Sequence, residues 1–191
     1  MEKSDEELMV EYQQGVREAI EVIFLRYQKS ILNFSLRILG NRADAEDVTA
    51  DVFLGLINGK SHYVPEPQAK FSTWLYTIAR NLCFSKIRRH KNVVSLFSKK
   101  SSFEEVGEWD VLDSTTPADE LHKKEMALKI KNEVQQLPLS QKEVFVLREF
   151  HGLSYDDIAR VTGHSLANVK VLIFRAREEL RKNLSSLLKE I

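Results

Sequence analysis

The stretch Ser154-Tyr-Asp-Asp-Ile-Ala-Arg-Val-Thr-Gly163-His-Ser165-Leu-Ala-Asn-Val-Lys170-Val-Leu-Ile-Phe174-Arg-Ala-Arg-Glu-Glu-Leu-Arg181 decides the fold class. Ser154 and Asp157 have the spacing of a helix cap, and Ile158, Ala159 and Val161 supply the apolar side of a short helix. Gly163 stands where the chain turns sharply, because glycine reaches positive φ without a steric penalty. Ser165 caps the helix that follows. Two helices joined by a tight glycine turn have the shape of a helix-turn-helix, whose second helix enters the major groove of DNA.

The second helix sorts into two faces. Leu166, Val169, Ile173, Ala176 and Leu180 recur every three or four residues and form an apolar stripe toward a core. Asn168, Lys170, Val171, Phe174 and Arg175 point elsewhere. Lysine and arginine pair with phosphates or with guanine, asparagine reads adenine, and valine and phenylalanine touch the thymine methyl. A solvated basic face is the plain alternative, but an outward phenylalanine between two cations suits a groove better than water.

Working outward, the whole chain reads as helix after helix, and the predicted fold class is all-α with two small helical domains. Ser4 and Glu7 form a capping box for a first helix that stops near Gly15. A long helix carries Ile20, Ile23, Phe24, Tyr27, Ile31, Phe34 and Ile38 and ends at Gly40. A third, from about 43 to 58, buries Ala45, Val48, Val52 and Leu56 and places Asp44, Asp47 and Asp51 on its other face. Pro65 and Pro67 interrupt the loop that follows. A fourth helix runs from near Ser72 to about His90 and holds Arg80, Lys86, Arg88 and Arg89. Trp74 has the spacing of a packing residue with Leu75, Ile78 and Leu82; stacking on DNA is its other reading. From 93 to 116 the periodicity disappears, and the stretch reads as a flexible linker with acidic residues and the apolar Phe97, Phe103, Trp109, Val111 and Leu112. Thr116 and Pro117 open the second domain, and Ser140 with Glu143 has capping-box spacing for the helix after Pro138.

Composition narrows the function. There are 28 basic and 28 acidic residues, so the chain is no polycation, yet no acidic residue occurs from Lys70 to Lys91. Segregated charge fits a protein that meets both nucleic acid and a charged protein partner. Cys83 is the sole cysteine, which excludes an intramolecular disulfide and a cysteine zinc site. The five histidines lack metal-ligand spacing, and no metal or cofactor is expected. No nucleophile-base motif or phosphate loop is visible, which argues against an enzyme. No apolar run is long enough to span a membrane and no signal peptide opens the chain, so membrane insertion is not expected and a cytoplasmic location is. A DNA-binding activator with a sensory domain is the main rival, but no ligand pocket or phosphoacceptor pattern precedes residue 116.

Three blocks carry a resemblance to a known family. Leu137-Pro-Leu-Ser-Gln-Lys-Glu-Val-Phe-Val-Leu-Arg148, Gly152-Leu-Ser-Tyr-Asp-Asp-Ile-Ala159 and Val169-Lys-Val-Leu-Ile-Phe-Arg-Ala-Arg177 resemble region 4 of the extracytoplasmic-function (ECF) group of bacterial sigma factors. Asp44-Ala-Glu-Asp-Val-Thr-Ala-Asp-Val-Phe-Leu54 resembles region 2.2, and Phe71-Ser-Thr-Trp-Leu-Tyr-Thr-Ile-Ala-Arg-Asn81 resembles regions 2.3 and 2.4.

The resemblance implies region 2 over 1–92, a linker over 93–116 and region 4 over 117–191. It implies a non-enzymatic factor that binds core RNA polymerase and promoter DNA, with an anti-sigma factor as a further partner. Ser165, Asn168, Lys170, Val171, Phe174 and Arg175 would read the −35 duplex. Tyr63, Lys70, Arg80, Asn81, Lys86, Arg88 and Arg89 would hold the melted −10 strand, with Tyr63 as a stacking surface and the cations as a phosphate track. Asp44, Asp47 and Asp51 would dock on the polymerase. The linker would thread toward the RNA path, its acidity helping the transcript displace it. Two departures are visible: Val171 stands where many members carry a small polar residue, and the 61–70 loop has two prolines and lacks the usual Phe-Arg-Gly-type run.

Overall fold

The computed structural model describes residues 3–59, 61–66, 69–96 and 117–187. These residues form eight helices: α1 (Asp5–Gln13), α2 (Glu18–Leu39), α3 (Arg42–Ile57), α4 (Phe71–Leu96), α5 (Pro117–Gln136), α6 (Leu139–Glu149), α7 (Tyr155–Thr162) and α8 (Leu166–Leu187). Helix α4 extends beyond the expected end near His90, so 93–96 of the expected linker are helical. The remaining linker residues, including Phe97, Phe103, Trp109, Val111 and Leu112, lie outside the described residues, as does Thr116.

Local chemistry sets the helix ends. The Ser4 hydroxyl accepts from the Glu7 amide at 3.2 Å, and the Glu7 carboxylate accepts from the Ser4 amide at 2.8 Å, a complete capping box. Asn41 caps α3 by accepting from the Asp44 amide at 2.9 Å. Gly40 ends α2 at φ 74°, a conformation that L side chains rarely adopt. Ser154 caps α7 through the Asp157 amide, and Gly163, again at φ 74°, makes the sharp turn into α8.

Helices α2, α3 and α4 pack into the first lobe, pinned by α1, around Ile23, Ile31, Phe34, Val48, Val52, Leu75 and Cys83. Cys83 is buried there and burial pushes its thiol up to about 12, which fits the reading of a small apolar core residue. In the second lobe, α5, α6 and α7 support α8 around Val134, Leu147, Ile158, Val169, Ile173 and Ala176. The lobes are docked: α7 packs on α4, and α5 and α6 pack on α2, so one apolar cluster runs through both.

Two expectations change at this level. Ser140 and Glu143 form no capping box, because α6 begins at Leu139 with Pro138 as its N-cap residue; Ser140 therefore lies inside the first turn. Glu143 is freed from the helix end and is almost fully buried on the lobe interface. Leu166 does not join the core stripe of α8. As the first residue after the turn it is 38% exposed, whereas Val169, Ile173, Ala176 and Leu180 are buried as expected.

Candidate nucleic-acid interface

Helix α8 presents its two faces as the periodicity predicts. Val169, Leu172, Ile173 and Ala176 pack inward on the lobe, and Asn168, Lys170, Val171, Phe174 and Arg175 are exposed. Val171 is 44% and Phe174 65% exposed, so an isopropyl group and a phenyl ring stand in solvent between cations. The Ser165 hydroxyl accepts from the Asn168 amide at 3.3 Å, which gives Ser165 a capping role at the end of the helix that would meet DNA. The Gly163 turn and the packing of α8 on α5, α6 and α7 hold this face rigidly outward.

The basic track of α4 is less uniform than its sequence. Lys70, Asn81, Arg88 and Arg89 are exposed. Arg80 is turned into the interface between the lobes. Its Nε donates to Glu143 Oε2 at 2.8 Å and its second terminal nitrogen reaches Glu143 Oε1 at 3.4 Å. The guanidinium also lies 4.0 Å over the Phe84 ring. His164, in the helix-turn-helix turn, approaches the same Glu143 carboxylate at 3.2 Å. Thus a residue expected to hold single-stranded DNA is tied to the second lobe in the docked form.

Lys86 is engaged as well. Its Nζ donates to Asp44 at 2.7 Å and to Asp47 at 2.8 Å, linking the α4 track to the α3 acidic face. Burial works to lower the Lys86 pKa, but the hydrogen bonds to Asp44 and Asp47 outweigh it and hold the ammonium above the usual lysine value. Asp44 is partly buried and also has His90 at 3.5 Å, while Asp47 and Asp51 are exposed.

Tyr63 departs from the expectation of an exposed stacking ring. It is 2% exposed, with ring centroids 5.3 Å from Phe71 and 5.2 Å from Trp74. Gln13 Nε2 donates to its carbonyl at 2.8 Å and holds the loop in. The physical reason is burial: a large ring gains more from an apolar aromatic cluster than from water. Trp74 is partly buried in this cluster, in keeping with packing.

The lobe interface holds further polar contacts that the linear pattern did not reveal. Thr73 donates to Asp157 at 3.0 Å, Gln135 donates to the Arg37 carbonyl at 2.8 Å, and Arg37 stacks 4.3 Å over the Phe150 ring. For Asp157, burial works to raise the pKa, but hydrogen bonds from Ser154 and Thr73 outweigh it and hold the carboxyl below the usual range. A signal for Glu143 did exist. It lies one turn before Leu147 and next to Val144, so a carboxylate is in phase with the buried stripe of α6, where a paired charge is required.

His151 is expected to make the docking pH-dependent. Its Nδ1 lies 2.8 Å from the Tyr76 hydroxyl, its ring packs 5.8 Å from Phe34, and its Nε2 is buried with no hydrogen-bond partner. Burial, assisted by the Arg37 charge, pushes its pKa down to about 3. When the lobes part, the imidazole regains water and a value near 6.5. The docked form therefore has the full benefit of neutral His151 above about pH 6.5 and loses it progressively as the pH falls toward 3, by about 1 kcal/mol at pH 5.5. Small-angle scattering is expected to show a larger radius of gyration at pH 5.5 than at 7.5. A His151→Gln protein is expected to respond far less; an equal response in both would show that another group titrates.

Among the described residues, no group of three or more His, Cys, Asp or Glu side chains could hold a metal ion, and no helix is long and apolar enough to cross a membrane. Family models for Sigma-70 region 2 and Sigma-70 region 4 match residues 23–93 and 127–180. The chain is 31% identical over 193 residues to the RNA polymerase sigma-H factor of Pseudomonas aeruginosa, covering 99% of this chain and 98% of that one. It is 30% identical over 190 residues to the ECF sigma factor SigW of Bacillus subtilis, covering 98% and 100%. In fold it is similar to the sigma factor RpoE solved with the anti-sigma factor NepR from Bartonella quintana, with a TM-score of 0.70 at 21% identity over 86% of this chain and 96% of that one. CnrH, solved with the cytosolic domain of CnrY, is similar at a TM-score of 0.65 and 22% identity over 96% and 99%. Such factors are generally not enzymes. With both conserved regions matched in order and relatives covered end to end, the chain belongs to the ECF group of the sigma-70 family and directs promoter-specific transcription initiation by RNA polymerase.

Proposed function

We propose that this factor divides promoter reading between its lobes, without catalysis of its own. Region 4, residues 117–191, places α8 in the major groove of the −35 duplex. Region 2, residues 1–92, holds the melted −10 strand along α4 and docks on core polymerase through Asp44, Asp47 and Asp51, with residues 93–116 as the link. The observation that carries this reading is the outward face of α8, where Phe174 is 65% exposed among Asn168, Lys170, Val171 and Arg175. An unpaired aromatic on a rigid helix flanked by cations matches a groove walled by phosphates.

The same reading gives Arg80 and Lys86 two sets of partners. Each is held by a carboxylate in the docked form. Phosphate contacts by these two residues then require the lobes to part and the α3 aspartates to find other cations. Tyr63 is proposed as the buried support of the 61–70 loop rather than a surface for a base. An anti-sigma protein is a proposed partner, motivated by the complexes in which two structural neighbours were solved.

Run-off transcription with purified core polymerase tests the whole reading, since a sigma factor starts transcripts without any other activator. Lys170→Ala and Arg175→Ala are each expected to weaken promoter binding by holoenzyme. A phosphate contact lowers affinity for all sequences and reduces the salt slope by about one, whereas a bidentate guanine contact costs about 1–3 kcal/mol and relaxes one position. Phe174→Ala is expected to weaken binding with little change in salt slope, because an uncharged side chain releases no counterion. Parent-like binding by all three folded variants would remove α8 as the reader.

For the polymerase face, Asp47→Lys combined with Asp51→Lys is expected to reduce co-purification with core at least tenfold while leaving helicity unchanged, because both side chains are exposed on α3. Undiminished co-purification would move the docking surface elsewhere.

A further inference from the structure

The ammonium of Lys86, on α4, sits between Asp44 and Asp47, on α3. It donates to Asp44 Oδ1 at 2.7 Å and to Asp47 Oδ2 at 2.8 Å. The two aspartates are three residues apart, so they lie on one face of α3 and a single cation reaches both. The other oxygen of Asp44 also faces α4, with His90 Nε2 at 3.5 Å. The Asp44 and Lys86 side chains are each 21% exposed, whereas Asp47 is 69% exposed. Asp51, one turn further along the face, is exposed and makes no ion pair among the described residues. The three carboxylates are therefore not equivalent. Asp44 has both oxygens faced by α4, Asp47 has one, and Asp51 has neither.

We propose that Lys86 is an internal counter-cation that holds down the affinity of this factor for core polymerase by occupying Asp44 and Asp47. The inference rests on the assignment of Asp44, Asp47 and Asp51 to the polymerase face, and it adds a residue of another helix that works against docking there. A polymerase cation that approaches this face meets two carboxylates already neutralised by Lys86. It is also repelled by the ammonium lying between them. Docking must displace Lys86 or proceed against its charge, and both weaken the complex. Displacement is within reach of a partner, because an ion pair that keeps contact with water is a weak one. Removing Lys86 therefore strengthens a binding step in which the lysine takes no part.

The opposite role would be preorganisation, in which Lys86 fixes the aspartates for docking. The geometry favours competition. Preorganisation leaves acceptor oxygens open to the partner, yet both oxygens of Asp44 are faced by Lys86 and His90. The face also needs no lysine to be presented, because α3 is held by its Asn41 cap and by packing on α2 and α4. What Lys86 does supply is relief of the repulsion between like charges three residues apart, which is why the contact forms in the free protein. A cation on the polymerase would give the same relief, so the two cations serve one need and exclude each other.

The test is equilibrium binding of the full chain to purified core polymerase without DNA at low salt, with circular dichroism to check the helicity of each variant. Lys86→Met removes the charge and keeps the apolar stem. It is expected to tighten binding about three- to tenfold, the yield of one or two partly exposed ion pairs. Lys86→Gln, a second removal of the charge, is expected to show the same gain. Lys91→Met makes the same change in net charge at an exposed position of α4 that has no ion pair among the described residues. It is expected to stay within about twofold of the parent. With Asp44→Asn and Asp47→Asn in place, Lys86 has nothing to neutralise, and Lys86→Met is expected to change nothing further. Unchanged or weaker binding by Lys86→Met and Lys86→Gln, an equal gain by Lys91→Met, or an undiminished gain beside the two asparagines would each overturn the inference. If that occurs while Asp47→Lys with Asp51→Lys still weakens core binding, the docking face stands and the competition alone is wrong. If that double variant binds core like the parent, the docking face falls and this inference falls with it.

Discussion

Arg80→Ala is expected to open the two lobes while leaving each lobe folded. The Glu143 carboxylate is 1% exposed and accepts from two of the three guanidinium nitrogens of Arg80, whose own side chain is 19% exposed. Removing the arginine leaves a buried carboxylate with only His164 beside it. Breaking a buried ion pair by deleting one partner costs about 3–5 kcal/mol, because the remaining charge keeps its desolvation penalty without compensation. The chain has an escape that a single-domain protein lacks. Parting of the lobes returns Glu143 to water, so the cost falls on docking and not on global stability. A loss of about 3 kcal/mol shifts the closed-open equilibrium by roughly a hundredfold toward open.

The reciprocal change is expected to be milder. Glu143→Ala leaves Arg80 partly exposed and stacked on Phe84, so its charge keeps access to water and to the ring face. The double variant Arg80→Ala with Glu143→Ala is then less open than Arg80→Ala alone. Inter-lobe distances from paired spin labels on exposed positions of α3 and α8 measure this directly, with circular dichroism to confirm helicity. Equal distances in the parent and Arg80→Ala would show that the ion pair does not hold the lobes together. If Arg80 also serves the melted strand, the same substitution separates two effects: easier opening, and weaker retention of the −10 strand once open.

Phe71→Ala has the second large expected effect, on stability. Phe71 is fully buried at the start of α4, with ring centroids 5.6 Å from Tyr27, 5.3 Å from Tyr63 and 5.6 Å from Trp74. Its amide donates to Glu6 at 2.8 Å, which joins α1 to the same point. Truncation removes the ring's transfer free energy and leaves a cavity between elements that are fixed by other contacts. Together these cost about 3–5 kcal/mol. Tyr63 loses its packing partner as well, so the 61–70 loop is released from the core. Urea unfolding is expected to show a lower midpoint with an unchanged slope. Phe174→Ala provides the contrast, since a ring that is 65% exposed contributes little to folding and its loss is expected to stay within about 0.5 kcal/mol. A similar midpoint shift for the two variants would contradict the assignment of one ring to the core and the other to a binding face.

Much of this molecule was legible in one dimension. Ser4, Ser154 and Gly163 act on backbone atoms within a few residues, so the caps and turn they form depend on local sequence alone. The buried stripe of α8 follows from the 3.6-residue period, and its outward face is what that period leaves over. The acidic face of α3 was visible for the same reason, as were the long α2 and its end at Gly40. Family membership was legible because two motif blocks kept their order along the chain.

Contacts between distant segments were not legible, because they depend on which surfaces the two lobes bring together. The Ser140–Glu143 spacing suggested a cap, yet Pro138 started the helix at Leu139 and docking made Glu143 the buried partner of Arg80, 63 residues away. Lys86 and Arg80 belonged to one basic run in sequence, but one is tied to α3 and the other to α6. Tyr63 sat in a polar, proline-containing loop, and only the packing of Phe71 and Trp74 drew its ring inside. Periodicity reports which side of a helix is apolar; it carries no information about the element that will cover that side. A charged residue is hydrated or paired according to that neighbour, and so the availability of Arg80 and Lys86 was decided by tertiary structure, where burial makes an unpaired charge too costly to leave alone.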